Sequence, residues 1–473
     1  MAFIAPVGAM AQGQQGSGSP YSAYGLGDLM GSTQVSQAIM GGVGTGLIDP
    51  YSVISSNPAS YPSLRIPVFE TGLVSRATDQ RTATAHAIGG RTDLLGLSLG
   101  VPVGKGTLLQ GPSQPANRWG FAFGLTPVSK VGYQISENAI LPSGGSVRYE
   151  YTGDGGLNRA FLGLGLIIWQ TNDTIHKGTR ISLGANLNYL FGSTKETRKA
   201  YYAFDQNSYN SNISSRLIVR SPTATVGAQI SGDLVPLSKA QARLQRKRAD
   251  RPADAPDRTN NRGAEPLRYT IGLRAELPAS LYAERTELVN SFAVGSSGVE
   301  FPYDTLSYKE SEPGTVSLPA LFGIGFSVYN SRWMIAVEHT RRDWTQFAVR
   351  VDEQEFRSQL TVHQTYAIGA GFTPAGDRRG TLFQRTTYKA GLRYALDYRM
   401  VLGEQLRETG FGIGLAMPVM ANSTRSRVNF GVELAERGST APGLLRERSV
   451  NVFIGVTITP DIREQWFKKR RLE

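Results

Sequence analysis

Residues 388–398 read Tyr-Lys-Ala-Gly-Leu-Arg-Tyr-Ala-Leu-Asp-Tyr, and this stretch decides the fold. Side chains on a β-strand point alternately to its two faces. One face of this strand would carry Tyr388, Leu392, Tyr394 and Tyr398, and the opposite face would carry Lys389 and Arg393. A soluble sheet buries such an apolar face in a core, whereas a membrane barrel turns it to lipid and its polar face to the lumen.

The same alternation recurs along the chain at residues 181–191, 428–434 and 450–458. In each stretch the polar face is rich in Gly, Asn and charged residues. That composition is poor for the dry centre of a β-sandwich, where a buried charge must be paired. The pattern therefore favours an all-β, antiparallel transmembrane β-barrel, with a large soluble β-protein as the alternative.

Fourteen segments carry a strand pattern, and an even number is typical of single-chain bacterial barrels. The predicted strands are 66–78, 84–103, 117–131, 158–170, 178–193, 216–232, 267–278, 316–329, 332–341, 358–373, 386–398, 409–419, 426–436 and 447–459.

The connections between these strands predict which end of the barrel faces outward. Periplasmic turns are short and external loops are longer. Connections after even strands are mostly short, and those after odd strands are predicted to be long polar loops: 132–157, 194–215, 279–315 and 342–357. Residues 233–266 break the rule, because this long basic segment follows an even strand. It is either a periplasmic insertion or a sign that the strand count is wrong by one.

Composition excludes several classes of function. The chain has 473 residues and no Cys, which rules out disulfides, thiolate metal sites and Cys nucleophiles. Its four His residues have no metal-ligand spacing, and no catalytic motif appears, so we expect neither a metal, nor a cofactor, nor an enzyme. The net charge of +12 is spread over lumen positions, loops and two patches, which argues against nucleic acid as a partner.

Residues 1–65 precede the first strand and do not alternate. Residues 1–11 end in Ala-Met-Ala, which fits the cleavage site of a signal peptide, although an ordinary apolar N-terminus is the alternative. Residues 12–65 are predicted to form a plug, or hatch, in the lumen of a barrel that spans 66–459. Residues 460–473 would then be a basic tail. The candidate hatch and ligand residues are Gly41, Gly42, Gly44, Gly46, Asn57 and Pro58.

Polar residues on the late strands are predicted to face the lumen: Glu338, Lys389, Arg393, Asp397, Arg427 and Glu433. Two interpretations are open. These residues form an ion-pair network that braces the barrel and plug, or Arg393 or Arg427 binds a carboxylate headgroup through a bidentate contact. Trp119, Trp333 and Trp344 lie near predicted strand ends, where aromatic side chains anchor barrels at the lipid headgroups.

Several short motifs occur in the order found in a known family. Ser55-Ser-Asn-Pro-Ala-Ser60 precedes the first strand, Gly155-Gly-Leu-Asn158 lies in the middle, and Asn429-Phe-Gly-Val-Glu433 lies near the end. Over residues 20–460 the chain resembles the FadL-type (OMPP1/FadL/TodX) outer-membrane transport proteins. The opening Ser19–Asp28 and the ending around Trp466 are similar to a divergent branch in gliding, type IX-secreting bacteria.

This resemblance implies a fourteen-stranded barrel with a lumen hatch in the Gram-negative outer membrane. It implies a FadL-like channel for the uptake of hydrophobic small molecules such as long-chain fatty acids. The alternative is a non-transporting subunit or scaffold of an envelope or secretion complex (PorV-like), with periplasmic protein partners. An apolar lumen pocket would favour the channel, and a lumen filled by charged side chains and plug would favour the scaffold.

Strand parity predicts that 233–266 and 460–473 lie on the same, periplasmic side. Because the native chain has no Cys, single substitutions test this directly. Cys at Ser238 or Gln465 should resist a membrane-impermeant thiol reagent in intact cells, and Cys at Ser297 should react. Labelling at Ser238 without labelling at Gln465 would contradict the fourteen-strand count.

Overall fold

The computed structural model describes most of the chain. The described residues are 18–31, 34–83, 85–103, 119–141, 145–171, 178–202, 209–235, 267–295, 297–352, 354–356, 359–376, 380–419, 425–441 and 443–460. The predicted signal segment, most of the basic insertion and the basic tail lie outside these residues. Within them, no helix is long and apolar enough to cross a membrane.

Nineteen strands form one continuous sheet. In chain order they are β1 (Asp28–Leu29), β2 (Val68–Arg81), β3 (His86–Val103), β4 (Trp119–Ile140), β5 (Ser146–Gln170), β6 (Arg180–Tyr202), β7 (Asn210–Val235), β8 (Leu267–Glu276), β9 (Ala279–Val294), β10 (Glu300–Leu318), β11 (Leu321–Tyr329), β12 (Trp333–Asp343), β13 (Ala348–Val351), β14 (Gln354–Phe356), β15 (Val362–Phe372), β16 (Thr387–Val401), β17 (Glu404–Pro418), β18 (Arg427–Gly438) and β19 (Arg446–Ile458). Two short helices, α1 (Val35–Ala38) and α2 (Leu382–Arg385), and 3-10 turns at Pro20–Ala23, Pro58–Ser63 and Trp344–Gln346 complete the fold.

Fourteen of these strands close into an antiparallel barrel, which confirms the predicted fold. The order around the wall is β2 to β8, then β11, β12 and β15 to β19. The wall closes where β19 pairs with β2, from Arg446 opposite Arg81 to Ile458 opposite Phe69. We call the end where β2 begins and β19 stops the terminal end, and the opposite end, where β2 turns into β3, the hairpin end.

The hairpin end differs from the sequence prediction, because much of the predicted loop sequence is strand. β4 and β5 stay paired out to Ile140 and Ser146, and β6 and β7 stay paired out to Ala200 and Ser211. The segment predicted as loop 279–315 is a β9–β10 hairpin whose first strand continues the sheet beside β7. Polar composition identified these segments as solvent-exposed, but an exposed sheet can be polar on both faces.

Alternation assigns most side chains to the correct face of the wall. Leu187 is 65% exposed on the outside of β6, whereas its neighbours Asn186 and Asn188 are buried inside. Tyr398 is the exception: it was expected on the lipid face, but only 1% of its surface is exposed. The register between β16 and β17 shifts between Leu396 and Met400, and a bulge of this kind turns a side chain to the other face.

Trp344 was expected to anchor the barrel rim, and this prediction is wrong. Its side chain is fully buried and stacks on Tyr398 with a ring-centroid distance of 4.6 Å. Both rings belong to an apolar cluster that also contains Leu26, Leu157 and Leu281. The cluster joins the N-terminal segment to the hairpin end of the wall.

Candidate functional site

The described parts of the N-terminal segment, residues 18–31 and 34–66, pack against the inward face of the barrel wall. α1, the Pro58–Ser63 turn and the loop between them contact the inward faces of strands around the wall. The segment has little regular structure of its own, so its backbone polar groups need partners from the wall. Those partners define the site.

A ring of inward-facing glycines lets the segment approach the wall. At each of these positions a Cβ atom would fall on residues 35–64; for example, a Cβ on Gly165 would lie 2.5 Å from the carbonyl oxygen of Pro58. Such a distance is too short for any side chain. The ring consists of Gly72, Gly100, Gly120, Gly165, Gly184, Gly227, Gly272, Gly325, Gly369, Gly391, Gly412, Gly431 and Gly455, one on each barrel strand except β12.

β12 contributes a carboxylate to the ring instead of a glycine. Glu338 lies opposite Gly325 and accepts hydrogen bonds from the backbone N–H groups of Gly44 and Thr45 at 2.6 and 2.7 Å. The Thr45 hydroxyl donates to its other oxygen at 2.7 Å, and Arg274 lies 3.3 Å from that oxygen. Glu338 was predicted as a lumen residue, and here it holds the glycine-rich loop of the plug in place.

Asn57 and Pro58 also join the plug to the wall. The Asn57 side chain accepts a hydrogen bond from Ala59 N at 3.1 Å and donates to Thr45 O at 2.7 Å. It thus begins the Pro58–Ser63 turn and connects it to the loop bound by Glu338. Pro58 lies against Gly165 and Gly184.

The four candidate hatch glycines have different surroundings. Gly41 and Gly42 adopt φ values of +73° and +90°, which end α1 in a conformation that favours glycine. Gly44 N is bound to Glu338, and the Gly46 carbonyl accepts a hydrogen bond from Ser327 Oγ at 2.6 Å. Hydrogen bonds to the wall therefore hold the loop at both of its ends.

Toward the hairpin end, the plug is bound by a cluster of buried charges around Asp28. One oxygen of Asp28 lies 2.9 Å from Arg399 Nη1 and 2.8 Å from Arg437 Nη1. Arg399 also binds Asp397, and Arg437 binds Glu447 at 2.6 Å. Burial alone would raise the pKa of the Asp28 carboxyl, but the Arg437 and Arg399 guanidinium groups hold that pKa well below its usual range.

Two more ion-pair groups line the lumen. Arg393 lies 2.8 Å from Glu408 and 3.1 Å from Glu433. On the opposite side of the lumen, Glu276 pairs with Arg159 at 3.2 Å and with Arg342.

The predicted lumen residues do not form a single site. Arg393 and Glu433 are in contact with each other, Asp397 belongs to the Asp28 cluster, and Lys389 bonds Ser36 of the plug. Arg427 begins β18 and makes no ion pair among the described residues. Glu338, Arg393, Asp397 and Glu433 lie against opposite charges and Lys389 donates to a plug hydroxyl, so these residues connect strands and plug in the way that the bracing interpretation expects.

The cavity beside the plug is small and is lined by polar and apolar side chains. One cavity of about 240 Å³ lies between the plug and the wall. Charged side chains such as Arg159, Glu276 and Arg393 line it together with Val74 and Phe161. Cavities that hold a drug-sized ligand are usually about 300–1,000 Å³ and mostly apolar. Among the described residues, no group of acidic or His side chains could hold a metal ion.

Sequence reasoning missed Asp28, Arg399 and Arg437. Asp28 lies in the opening motif that supported the family resemblance, but nothing in one sequence indicates that it reaches residues 399 and 437. In the sequence Asp397, Tyr398 and Arg399 continue the polar–apolar alternation, so no pattern there indicated that all three side chains would be buried.

Comparison with known proteins gives a family and a fold. The family model described as BamG matches residues 1–235 and 260–473. A search of curated proteins finds no match.

Among solved structures, the toluene transporter TbuX of Ralstonia pickettii is 13% identical, with a TM-score of 0.53 over 91% of this chain and 99% of that one. The toluene transporter TodX of P. putida is 14% identical, with a TM-score of 0.53 over 91% and 99%. A Pseudomonas aeruginosa FadL homologue is 11% identical, with a TM-score of 0.51 over 91% and 98%. At these identities the likeness establishes the barrel fold.

The ring predicts a steric test. Gly391→Ala would place a Cβ 2.5 Å from Met40 Cα and against the Gly41 backbone, which must then shift. We expect a loss of about 1–3 kcal/mol in the free energy of unfolding, measured by urea titration of the folded, heat-modifiable band. Gly371→Ala is the control, because its Cβ would lie 3.3 Å from the flexible Met334 methyl group. Equal effects would contradict the ring.

The Asp28 cluster predicts a pH dependence. A carboxyl with a lowered pKa stabilises the fold above its unfolded pKa of about 3.9 and loses that contribution as pH falls through the folded pKa. Asp28→Asn should therefore lower the free energy of unfolding by about 3 kcal/mol or more between pH 5 and 8. The difference in this free energy between the variant and wild type should shrink only below about pH 4. Urea titrations across pH would measure this.

The exposed Asp79, which pairs with Arg81 at 2.9 Å, provides the matched control for this series. Asp79→Asn should change stability by less than about 1 kcal/mol. If the difference in unfolding free energy between Asp28→Asn and wild type already decreases between pH 7 and 5, the assignment of a lowered pKa is contradicted.

Proposed function

The chain belongs to the BamG family, and on that premise we propose that it is a plugged outer-membrane barrel that serves as a non-transporting subunit of an envelope complex. The observation that carries this proposal is the contact between plug and wall. Eight of the thirteen ring glycines lie against plug backbone and five against plug side chains, and Glu338 binds two plug N–H groups. A hatch that opens would have to break these contacts together.

The charged lumen supports the same function. The cavity beside the plug is about 240 Å³, and ion-paired side chains such as Arg159, Glu276 and Arg393 form part of its lining. A long apolar molecule crossing it would desolvate these groups without offering hydrogen bonds in return, which is unfavourable. The side chains instead connect strands to each other and to the plug, as expected of a rigid support.

The fold supports a location in the Gram-negative outer membrane. A closed barrel with an apolar exterior satisfies its backbone hydrogen bonds within bilayer hydrocarbon. The basic segments 233–266 and 460–473 would then face the periplasm, where they could bind acidic surfaces of partner proteins. Membership of the divergent branch in gliding bacteria is part of this proposal.

A channel for hydrophobic molecules is the second candidate. It is favoured by the barrel fold, which this chain has in common with toluene transporters, and by Val74, Leu95 and Phe161, which line the cavity beside the plug. Transport by this route requires the loop at 41–46 to leave Glu338 and the glycine ring. Neither candidate requires a catalytic residue.

An uptake assay separates the two functions. The chain would be expressed in Gram-negative cells that lack their own fatty-acid channel, with the Pseudomonas aeruginosa FadL homologue as the positive control. We expect no uptake of labelled oleate with the intact chain, because the plug stays bound to the wall. Restored uptake would contradict the proposed function.

Conductance in planar bilayers provides the structural control. The intact chain should stay closed, and deletion of residues 21–60 should open a pore, because these residues fill the lumen. A folded deletion variant with unchanged conductance would show that the segment does not block the lumen.

In the native cell, loss of the chain should admit large antibiotics without changing oleate uptake, and the chain should migrate within a larger complex after mild extraction.

A further inference from the structure

Two polar side chains lie on the membrane-facing side of β12. His339 is paired across the sheet with Ile324 and Arg341 with Phe322, and both partners point outward with at least half of their surface exposed. Glu338, which directly precedes His339, points into the lumen and binds the plug. The outward direction of His339 and Arg341 therefore follows from the same alternation that places Glu338 inside.

These residues lie at a depth where neighbouring strands are apolar. His339 and Arg341 come one and three residues beyond the ring position Glu338, toward the hairpin end. On β18 and β19 the first outward charges, Glu436 and Arg448, come five and seven residues beyond the ring glycines. Because the strands of a barrel tilt alike, these offsets measure depth. Arg341 thus lies within the apolar belt.

Neither polar group is satisfied by the protein. Arg341 makes no ion pair among the residues that the structure describes. His339 stacks on Tyr366 with a centroid distance of 4.5 Å, and its buried Nδ1 has no hydrogen-bond partner there. A cation on the lipid face of a barrel is destabilising unless it finds a partner, so such a residue indicates an interaction.

The surface around them is concave. A dent of about 470 Å³ borders Arg341, His339, Leu273 and Phe322. It adjoins a groove of about 1,280 Å³ that passes His339, continues over apolar residues such as Leu392 and Phe411, and reaches the rim residues Glu436 and Arg448. The groove is open to the bilayer side of the wall. A cation therefore lies at one end of an extended apolar surface.

We propose that this surface binds a bilayer lipid with an anionic phosphate headgroup. The acyl chains would lie along the groove, and the phosphate would accept hydrogen bonds from the Arg341 guanidinium and from a His339 ring N–H. Charge complementarity and the apolar groove identify the occupant. Drawing the headgroup to Arg341 would thin the bilayer locally beside β11 and β12. The proposal is independent of whether the lumen transports.

Native mass spectrometry can test the proposal with the full chain. Delipidated protein would be incubated with mixed micelles containing equal amounts of phosphatidylglycerol and phosphatidylcholine with identical acyl chains. Wild type should retain phosphatidylglycerol in preference to phosphatidylcholine, and Arg341→Gln should reduce that preference by about tenfold, as expected for the loss of one charge-assisted contact. Arg341→Lys, which keeps the charge, should retain most of it.

Arg220→Gln is the matched control, because Arg220 also points outward but lies seven residues from the ring glycine Gly227, borders neither the dent nor the groove, and pairs with Glu284. It should keep the wild-type preference, and heat-modifiable migration would confirm that each variant is folded. Equal retention of both lipids by wild type, or an unchanged preference in folded Arg341→Gln, would overturn the proposal. Loss of a cross-linked protein neighbour in Arg341→Gln, without any lipid preference in wild type, would also overturn it in favour of a protein contact.

Discussion

The structure depends on direct contact between the plug backbone and the barrel wall. Thirteen barrel strands each have a glycine in the ring, so that the irregular plug can lie against them. The remaining strand, β12, places Glu338 at the ring. An irregular segment carries unpaired N–H and C=O groups that cannot be buried without partners. Close approach solves this problem, because Asn186, Gln229 and Ser327 on the wall then reach the carbonyls of Ser55, Thr45 and Gly46.

Charged side chains in the lumen form a second set of contacts between plug and wall, toward the hairpin end. Asp28, which comes from the plug, is shared by Arg399 and Arg437 from two different strands. Removing Asp28 or one of the arginines would leave an uncompensated buried charge. Breaking a buried pair in this way lowers stability far more than breaking an exposed pair does. The plug and the wall are therefore electrostatically as well as sterically dependent on each other.

Much of the barrel could be predicted from the sequence, because lipid imposes one simple rule on every outward side chain. Alternation located all fourteen strands and placed Glu338, Lys389 and Glu433 inside. It failed at Tyr398, where a bulge reverses the face, and at Trp344, where an aromatic residue near a strand end packs inward.

The partners of each lumen residue could not be predicted from the sequence. The pairing of Asp28 with Arg437 joins residues 409 positions apart, and only the closed wall brings them together. The glycines were visible in the sequence as small inward residues, but their common level depends on the register of every pair of strands. His339 and Arg341 are unusual because they lie at the depth of the apolar belt. Alternation predicts which face of the wall a residue is on, but not its depth in the membrane.

The closure of the wall has a consequence for how the protein assembles. The plug precedes β2, and the barrel closes only when β19, the last strand of the barrel, pairs with β2. Joining segments almost four hundred residues apart costs loop entropy of the order of 5 kcal/mol, so this pairing forms late unless other contacts hold its two strands near each other. The plug touches both: Val35 packs against Gly72 of β2 and against Gly455 of β19. The segment that fills the finished barrel is thus also a template that brings the first and last strands together, so that folding of the interior and closure of the wall become one event.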